Sequence, residues 1–252
     1  MKILFSNIGY ARGIDGSLWH HISRIGRHFY CPVPPQQFVL SQLKDVMRRE
    51  EPDLCCFVEI DKGAMHSSYF NQMDAIRDDT YRYHDITNKY GEDHWRSRMP
   101  FHTSKCNGFL AKQDFLFEKL YFKAGRKRLI YKMILPQNIV VYFAHFSLQN
   151  QVRAEQFKEV QDYILSDGRA SIVLADFNIF QGFSEISSLL EKANLKLLNR
   201  DDEYTFTFHK RRRILDLCLA SESIADKINL KIIPQPYSDH AALFLDLKYE
   251  AA

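Results

Sequence analysis

Several apolar runs in this chain each lead to a polar residue of a type that binds metal ions or phosphate. The polar residues at these positions are Asn7, Glu59, His145, Asp176, Asn178, Asp216, Asp239 and His240. Carboxylates and amides are oxygen ligands for hard divalent cations, and histidines transfer protons or donate hydrogen bonds to phosphate oxygens. Together these side chains are the groups that the attack of water on a phosphate ester requires.

The residue types indicate how that chemistry would be divided. Glu59 is suited to bind Mg²⁺, with Mn²⁺ as the alternative cation, and Asn7 can add its amide oxygen. Asp176 and Asn178 are two residues apart on an extended segment, so their side chains point to the same side. There the Asp can accept a proton from water while the Asn orients that water or binds a phosphate oxygen.

Two histidines supply the remaining groups. His240 and His145 could donate hydrogen bonds to the phosphate. A histidine held by a carboxylate such as Asp216 would stay cationic near neutral pH, because the opposite charge favours the protonated ring. Taken singly, residues of these types are more often turn caps or satisfied surface and core residues. The hypothesis therefore depends on the whole set coming together.

The elements that must position these residues are buried strands. Each run is short and rich in Val, Ile, Leu and Phe, a composition typical of strands that are covered on both faces. When such strands lie side by side, their polar ends meet at one rim, where a site can form without burying unpaired charge. The sequence therefore favours an enzyme with its site on the rim of a sheet.

Helical patterns separate these strands. Apolar positions at helical spacing between Gln36 and Pro52 precede the Glu59 strand, and a second pattern over 149–165 precedes the Asp176 strand. Shorter helices are predicted over 66–76 and 185–193. Residues 8–35, which contain several Gly and Pro residues, are predicted to form an irregular insert.

Further strands are predicted from short apolar runs bounded by turn residues. The runs at 108–112, 115–123, 129–135 and 139–144 are joined by brief turns and suggest one antiparallel meander. The remaining predicted strands cover 81–86, 205–208, 214–220, 228–233 and 241–247. Strand-helix-strand units on either side of a meander indicate an α/β protein.

Composition sets the broad class. With 252 residues, of which 46% are apolar, the chain can support a substantial core, and we expect one domain over residues 1–252. Its 34 basic and 31 acidic residues give a net charge of +3, so binding to nucleic acid would rest on local basic clusters. The clearest cluster is HKRRR at 209–213, where Arg211 and Arg212 either contact phosphate or belong to a solvated hairpin tip.

Cysteine usage indicates a reducing compartment. The five cysteines are an odd number and match no zinc-binding spacing. Cys55, Cys56 and Cys218 lie in apolar runs, where a free thiol behaves as a small hydrophobe. No run approaches the roughly 20 apolar residues that span a bilayer, and the apolar start of the chain ends at Ser6 and Asn7 like a first strand. We therefore expect a cytoplasmic protein without a transmembrane segment.

The ordered motifs of the chain resemble those of the endonuclease/exonuclease/phosphatase superfamily, whose fold is the one seen in DNase I and exonuclease III. In chain order they are SNI at Asn7, PDLCCFVEI at Glu59, NGFLAK at Asn107, AHFSL at His145, ADFN at Asp176 and Asn178, RILDLCLAS at Asp216 and SDH at 238–240. They span nearly the whole chain, and each lies on a predicted strand end. A set in this order is far more specific than any single tripeptide.

The resemblance implies both a fold and roles for the motif residues. The fold is an α/β four-layer α/β/β/α sandwich, in which two mixed β-sheets pack face to face with helices outside. The roles are metal binding by Asn7 and Glu59, positioning of the attacking water by Asp176 and Asn178, pairing of Asp216 with His240, a place beside the metal or water for Asp239, an additional catalytic histidine in His145, and substrate binding by Asn107.

Three features depart from the family pattern. The glycine that usually precedes Asp-Phe-Asn is Ala175, the late Thr-Phe strand leads to the basic cluster instead of Pro and Trp, and the 8–35 insert is longer than usual. The last two flank the expected site and leave the substrate open. We expect a magnesium-dependent phosphodiesterase acting on nucleic acid. The alternatives are hydrolysis of a phosphoinositide, phospholipid or other small phosphorylated molecule, and a catalytically silent binding module.

Overall fold

The computed structural model describes residues 1–248, which form two six-stranded β-sheets and a separate two-stranded hairpin. The strands, in chain order, are β1 (Lys2–Asn7), β2 (Leu54–Asp61), β3 (Tyr83–Asn88), β4 (Lys105–Ala111), β5 (Leu116–Tyr121), β6 (Leu129–Ile134), β7 (Val140–His145), β8 (Ser171–Asp176), β9 (Leu195–Leu197), β10 (Phe206–Phe208), β11 (Arg211–Arg213), β12 (Asp216–Ser221), β13 (Ile228–Ile233) and β14 (Ala242–Leu247).

The helices connect strands or cover the sheets. They are α1 (Leu18–Ser23), α2 (Val33–Glu50), α3 (Gln72–Ile76), α4 (Asn150–Asp167), α5 (Ser187–Lys192) and α6 (Glu222–Ala225). The ends of the two long helices have a clear cause in the sequence. Helix α2 begins with prolines in its first turn, and α4 is capped by Gly168, whose left-handed backbone suits a helix C-terminus. Among residues 1–248, no helix is both long and apolar enough to cross a bilayer.

Both large sheets are mixed. The first has the strand order β13-β14-β1-β2-β4-β3, and the second has the order β5-β6-β7-β8-β12-β9. Each contains one parallel pair at its centre, β1 with β2 and β7 with β8, whereas the neighbouring strands run antiparallel. The predicted sandwich of two mixed sheets flanked by helices is confirmed.

Alternation along the strands divides the core into three apolar layers. Ile3 and Phe5 of β1 point into the cluster between the sheets, whereas Leu4 points into the cluster that includes α2 residues. On β7, Phe143 points between the sheets and Tyr142 into the cluster that includes α4 residues. The central strands are therefore apolar on both faces, which explains their uninterrupted apolar sequence.

The structure differs from the sequence-based expectation at several points. The proposed four-strand meander is wrong at its first member, because β4 pairs with β2 and β3 in the first sheet and only β5, β6 and β7 form a meander in the second. A run of strand residues does not encode which neighbour it pairs with. Residues 8–35 are more ordered than their composition suggests, since they contain α1 and a 3₁₀ turn over Ile25–His28.

The structure also shows where the basic cluster and the cysteines lie. Arg211 and Arg212 lie on β11 and are exposed, so the tip of the hairpin is formed by His209 and Lys210. All five cysteines are free and buried, as the apolar runs around Cys55, Cys56 and Cys218 predicted for those three. Burial raises the pKa of Cys106 to about 12, so this thiol stays protonated and unreactive at neutral pH.

Candidate active site

The polar strand ends converge where the two sheets meet at one rim. In the second sheet, His145 at the end of β7 is level with Asp176 at the end of β8, and Asp216 at the start of β12 is paired with Asp176 from the other side. In the first sheet, Asn7 ends β1 and is level with Val58, directly before Glu59. The shared rim follows from the parallel pair at the centre of each sheet.

Asp176 is the centre of this group. Its Oδ2 accepts hydrogen bonds from Nδ2 of Asn7 at 3.1 Å and lies 3.0 Å from Nε2 of His145, while its Oδ1 accepts the backbone N–H of Asn178 at 3.2 Å. Burial favours the neutral carboxyl, but His145, which also hydrogen-bonds to it, His240 and Lys127 favour the ionised form and hold the pKa of Asp176 well below its usual range. Asp176 is therefore a fixed anion that joins residues of both sheets.

His240 forms the second polar unit. Its Nδ1 lies 2.7 Å from Oδ2 of Asp216, and its Nε2 lies 3.8 Å from Oδ2 of Asp176. Burial disfavours the charged ring, but the two carboxylates outweigh it and raise the pKa of His240 to about 10. The ring is therefore cationic at neutral pH. The pairing of Asp216 with His240, implied by the family resemblance, is present in the geometry.

The ring of His145, unlike that of His240, is uncharged. Burial and the ammonium group of Lys127 lower the pKa of His145 to about 4, so its ring is neutral at neutral pH. Nε2 contacts both Asp176 and Lys127. With its proton on Nε2 the ring donates to Asp176, and with its proton on Nδ1 it accepts from Lys127. The two histidines thus differ in charge because one faces mainly carboxylates and the other also faces an ammonium group.

Glu59 is held by an irregularity in β2. The pairing of β2 with β4 shifts between Phe57 and Ile60, and Glu59 itself has a left-handed backbone with φ of 56°. Asn107 supports this conformation, because its buried Oδ1 accepts the backbone N–H of Glu59 at 3.4 Å. The bulge turns a residue of a buried strand toward the rim, where the Glu59 side chain is 22% exposed.

Two further predicted residues lie at the same rim. The side chain of Asn178 donates through Nδ2 to the backbone oxygen of Phe146 at 3.0 Å, which anchors the turn after β8. Asp239 adjoins His240, and burial raises the pKa of its carboxyl against the attraction of that cation. Its backbone oxygen accepts the N–H of Thr207 at 2.9 Å. The site thus extends to the β10–β11 hairpin.

The sequence reasoning missed the lysines of this site. Nζ of Lys89 lies 3.2 Å from Oε1 of Glu59 and contacts the hydroxyl of Tyr10, and only 6% of its side chain is exposed. Lys127 lies against His145. The ring of Tyr10 also has Arg12 at 4.8 Å and Nζ of Lys105 at 5.6 Å from its centroid. Lys89 directly follows β3 and Lys127 lies in the turn between β5 and β6, and neither follows a long apolar run of the kind that marked the other site residues.

The donor set fits a hard divalent cation. Lys89, His145 and Lys127 outweigh the effect of burial and hold the pKa of Glu59 well below its usual range, so this carboxylate is ionised. Asn7 and Asp239 add oxygen atoms of the kind that Mg²⁺ prefers. Asp176, Asp216 and His240 form a second group, with one ligand atom from each lying within 4.8 Å of the others. In this second group, however, Nδ1 of His240 is already hydrogen-bonded to Asp216, so that nitrogen is not available to a cation.

Solved structures with the same fold support the class that the motifs predicted. TDP2 from Caenorhabditis elegans matches at 15% identity with a TM-score of 0.66, over 97% of this chain and 73% of that one. An endonuclease/exonuclease/phosphatase family protein from Leptotrichia buccalis C-1013-b matches at 14% identity with a TM-score of 0.68, over 99% and 100%. A 3'-5' exonuclease from Neisseria meningitidis matches at 14% identity with a TM-score of 0.60, over 99% and 100%.

The fold is the one seen in solved proteins of the endonuclease/exonuclease/phosphatase family. No family model and no curated protein matches the sequence. At these identities the likeness establishes the architecture, and the chemistry has to be argued from the residues of the rim.

Proposed function

We propose that this protein is a divalent-cation-dependent phosphodiesterase that hydrolyses nucleic acid, with Mg²⁺ as the cation and Mn²⁺ as a substitute. The observation that carries the proposal is the convergence of an anionic Asp176, a neutral His145 and a cationic His240 at one rim. Groups whose surroundings push their pKa values apart are the usual arrangement for acid-base chemistry at neutral pH. Glu59 and Asn7, with Asp239 beside them, would hold the cation, which would offset charge on the phosphoryl oxygens.

We assign water activation to Asp176, Asn178 and His145. Because cations keep the pKa of Asp176 low, its carboxylate is better suited to orient a water molecule than to retain its proton. With Nε2–H donated to Asp176, Nδ1 of the neutral His145 is the nitrogen that can accept that proton, and the resulting imidazolium would be stabilised by Asp176 at 3.0 Å from Nε2. This division follows the logic of histidine-carboxylate pairs in hydrolases.

His240 serves as the fixed cation on the other side of the phosphate. Asp216 holds Nδ1, so Nε2 is left to donate toward a phosphoryl oxygen. Lys127 and Lys89 add positive charge around the same space and counter the build-up of negative charge in the transition state. Asn107 acts as a positioning residue, since it holds the backbone of Glu59.

Nucleic acid is the proposed substrate for two reasons. The solved neighbours include an exonuclease and the endonuclease domain of the retrotransposon TRAS1. In this chain the exposed Arg211 and Arg212 lie on the hairpin whose Phe206 is bridged to His240, so the cations are joined to the rim. Such arginines can contact phosphates on either side of the cleaved bond. The buried, free cysteines support a cytoplasmic location.

Hydrolysis of a phospholipid or phosphoinositide is the second candidate. It is favoured by exposed apolar side chains in the insert beside the hairpin, including Leu18, Trp19 and Ile22. The same rim chemistry would serve a phosphorylated headgroup. The two candidates differ in the ligand that the surface around the rim must accept.

A substrate panel tests the proposal. The purified protein is given single- and double-stranded DNA, RNA, inositol phosphates and phospholipid vesicles, each with Mg²⁺, with Mn²⁺ and with a chelator. We expect cation-dependent cleavage of nucleic acid and none by His240→Ala. Cleavage of lipid or inositol phosphate alone would replace the substrate proposal, and the absence of cation-dependent hydrolysis of every substrate would overturn the function.

A further inference from the structure

Residues 18–30 expose an unusual number of large apolar side chains. The exposed fractions are 54% for Leu18, 73% for Trp19, 61% for Ile22, 60% for Ile25, 71% for Phe29 and 55% for Tyr30. Helix α1, which begins this stretch, has no buried residue. A cluster of exposed apolar side chains on a protein surface usually marks a contact site.

Several polar residues of the same stretch, His20, Arg24 and Arg27, contact the protein. Nδ1 of His20 lies 2.7 Å from Oδ1 of Asp15, Arg27 donates through NH1 to the backbone oxygen of Arg12 at 2.7 Å, and Arg24 donates to the backbone oxygen of Gly13. The segment is thus inverted relative to an ordinary surface helix, which buries its apolar face and exposes its polar one. The protein supports this arrangement with specific contacts.

Positive charge borders the apolar surface. No acidic residue occurs from Gly16 to Lys44, a stretch that includes Arg24 and Arg27. The β10–β11 hairpin lies against it, because the backbone N–H of His209 donates to the oxygen of Gly16 at 2.6 Å and the ring of His21 lies 4.9 Å from that of Phe208. The hairpin adds four consecutive cations, Lys210 to Arg213, which are exposed.

We propose that residues 18–30, together with the β10–β11 hairpin, dock the protein on an anionic membrane surface. Aliphatic side chains such as Ile22 and Ile25 suit the hydrocarbon boundary and offer little to nucleic-acid bases, which stack on aromatic rings. Trp19 and Tyr30 suit the interface, and the adjacent cations suit anionic headgroups of the cytoplasmic leaflet. Apolar insertion and charge attraction together give stronger binding than either alone.

Docking does not depend on the proposed phosphodiesterase activity. The hairpin nevertheless connects the two regions, because Phe206 is bridged to His240 and its ring lies 4.9 Å from that of the histidine. A docked surface would therefore lie next to the catalytic rim. Binding is measured on vesicles without any reaction, so its failure and that of the proposed function can be told apart.

The first experiment is co-sedimentation with vesicles of phosphatidylcholine alone or with about one-third phosphatidylserine. We expect binding only to the anionic vesicles, and Ile22→Glu/Ile25→Glu to weaken it by about tenfold or more. The matched controls are Leu116→Glu and Leu165→Glu, which change leucines with exposed fractions of 75% and 55% on other elements. These should bind like the unaltered protein. Circular dichroism verifies that every variant is folded.

A second measurement reports directly on residues 18–30. The chain has two tryptophans, Trp19 and Trp95, so Trp95→Phe leaves Trp19 as the single fluorophore. Its emission should shift to shorter wavelength when anionic vesicles are added. No vesicle binding by the unaltered protein, or equal binding by the double Glu variant, would overturn the proposal. The proposal would also be overturned if the unaltered protein bound no vesicles and the double Glu variant lost oligonucleotide binding or self-association. That result would assign the surface to nucleic acid or to a second copy of the chain.

Discussion

At the scale of single residues, each buried carboxylate of the candidate site has a charged or hydrogen-bonding partner. Glu59 is held by Lys89, Asp176 by His145 and Asn7, and Asp216 by His240. An uncompensated charge at such depth would be costly, so each removal acts on stability as well as on catalysis. Among the residues that the structure describes, His145 Nδ1 and Asp216 Oδ1 are buried atoms without a hydrogen-bond partner. The pairing of polar groups therefore remains incomplete at the rim.

The first prediction separates the two effects at Glu59. Glu59→Gln should lower cation-dependent activity by about 100-fold or more, because a carboxylate ligand is removed. It should also cost roughly 1 to 3 kcal/mol of unfolding free energy, because Lys89 keeps a buried charge without its partner. Activity is measured across a Mg²⁺ titration and stability by chemical denaturation.

The double variant Glu59→Gln/Lys89→Met is the informative control. It removes both charges, so stability should recover while activity stays low. Glu191→Gln, an exposed carboxylate on α5, should change neither quantity. An unchanged Mg²⁺ titration in Glu59→Gln would remove this residue from the cation site.

The second prediction concerns Asp176, which is proposed to orient the water molecule, and His240, the proposed fixed cation. Asp176→Asn and His240→Ala should each reduce turnover by about 100- to 1,000-fold, since both act on the transition state more than on the bound substrate. Substrate affinity should change much less. Single-turnover rates and equilibrium binding are measured separately for each variant. A variant with weaker affinity but an unchanged single-turnover rate would contradict the assigned role.

At the scale of elements, the hairpin β10–β11 links the insert to the active-site rim through a close approach at Gly16. A Cβ atom at this position would lie 1.9 Å from the backbone oxygen of Thr207 and 3.2 Å from Cβ of Asp239, and its φ is +79°. Only glycine fits both the backbone conformation and the space.

The third prediction tests that close approach. Gly16→Ala should destabilise the protein by roughly 2 kcal/mol or more and lower activity, because the hairpin and Asp239 must move. Gly168→Ala is matched to it, since Gly168 has a φ of +72° but nothing within 4 Å of the added Cβ. That control should carry only the backbone cost, about 1 kcal/mol, with normal activity. Equal stability and activity in the two variants would show that the packing at Gly16 is not tight.

The fourth prediction concerns the arginines of β11. Arg211→Ala/Arg212→Ala should weaken nucleic-acid binding across sequences and flatten its salt dependence, by about 0.7 to 0.9 in the log-log slope for each phosphate that an arginine no longer neutralises. The rate at saturating substrate should barely change. Binding is measured by fluorescence anisotropy over a range of salt concentrations.

The comparison for the arginine variant uses exposed cations on other elements. Lys158→Ala/Lys192→Ala alters exposed residues of α4 and α5 and should leave the slope unchanged. If both double variants behave alike, the arginines belong to a solvated strand and substrate selectivity lies elsewhere, with residues 8–35 as the next segment to test.

At the scale of the whole molecule, one apolar layer is shared by both sheets. Phe5 of the first sheet and Phe143 of the second belong to the same buried cluster, and the ring of Phe143 stacks on that of Tyr131 at 4.7 Å between centroids. If one sheet unfolded, the apolar face of the other sheet would be exposed to water. The rim of the candidate site, which takes residues from both sheets, depends on the same layer for its geometry.

The fifth prediction follows from that shared layer. Phe143→Ala should lower the unfolding free energy by about 3 to 5 kcal/mol, because it leaves a cavity between the sheets. Unfolding followed by far-ultraviolet and by near-ultraviolet circular dichroism, the latter reporting on buried aromatic side chains, should remain one coincident transition. Leu116→Ala, at an exposed position, should change stability by no more than about 0.5 kcal/mol. Two separate transitions would mean that the sheets unfold independently.

The sequence by itself predicted the strands that carry the motif residues and indicated the class of chemistry that is proposed. Runs such as those before His145 and Asp176 are apolar on both faces, which only a doubly covered strand tolerates, and polar residues can follow them only at a rim. The pairing of Asp216 with His240 was accessible through the ordered motifs, because their family resemblance carries spatial information that spacing alone lacks.

Tertiary structure decided the partners and the charges. The pairing of β4 with β2, the bulge that turns Glu59 outward, and the places of Lys89 and Lys127 depend on contacts between segments far apart in the chain. Charge states follow from those contacts, since His145 and His240 are the same residue type but have pKa values of about 4 and about 10. A side chain's chemistry is local, whereas its dielectric surroundings and neighbouring charges exist only once the sheets have packed.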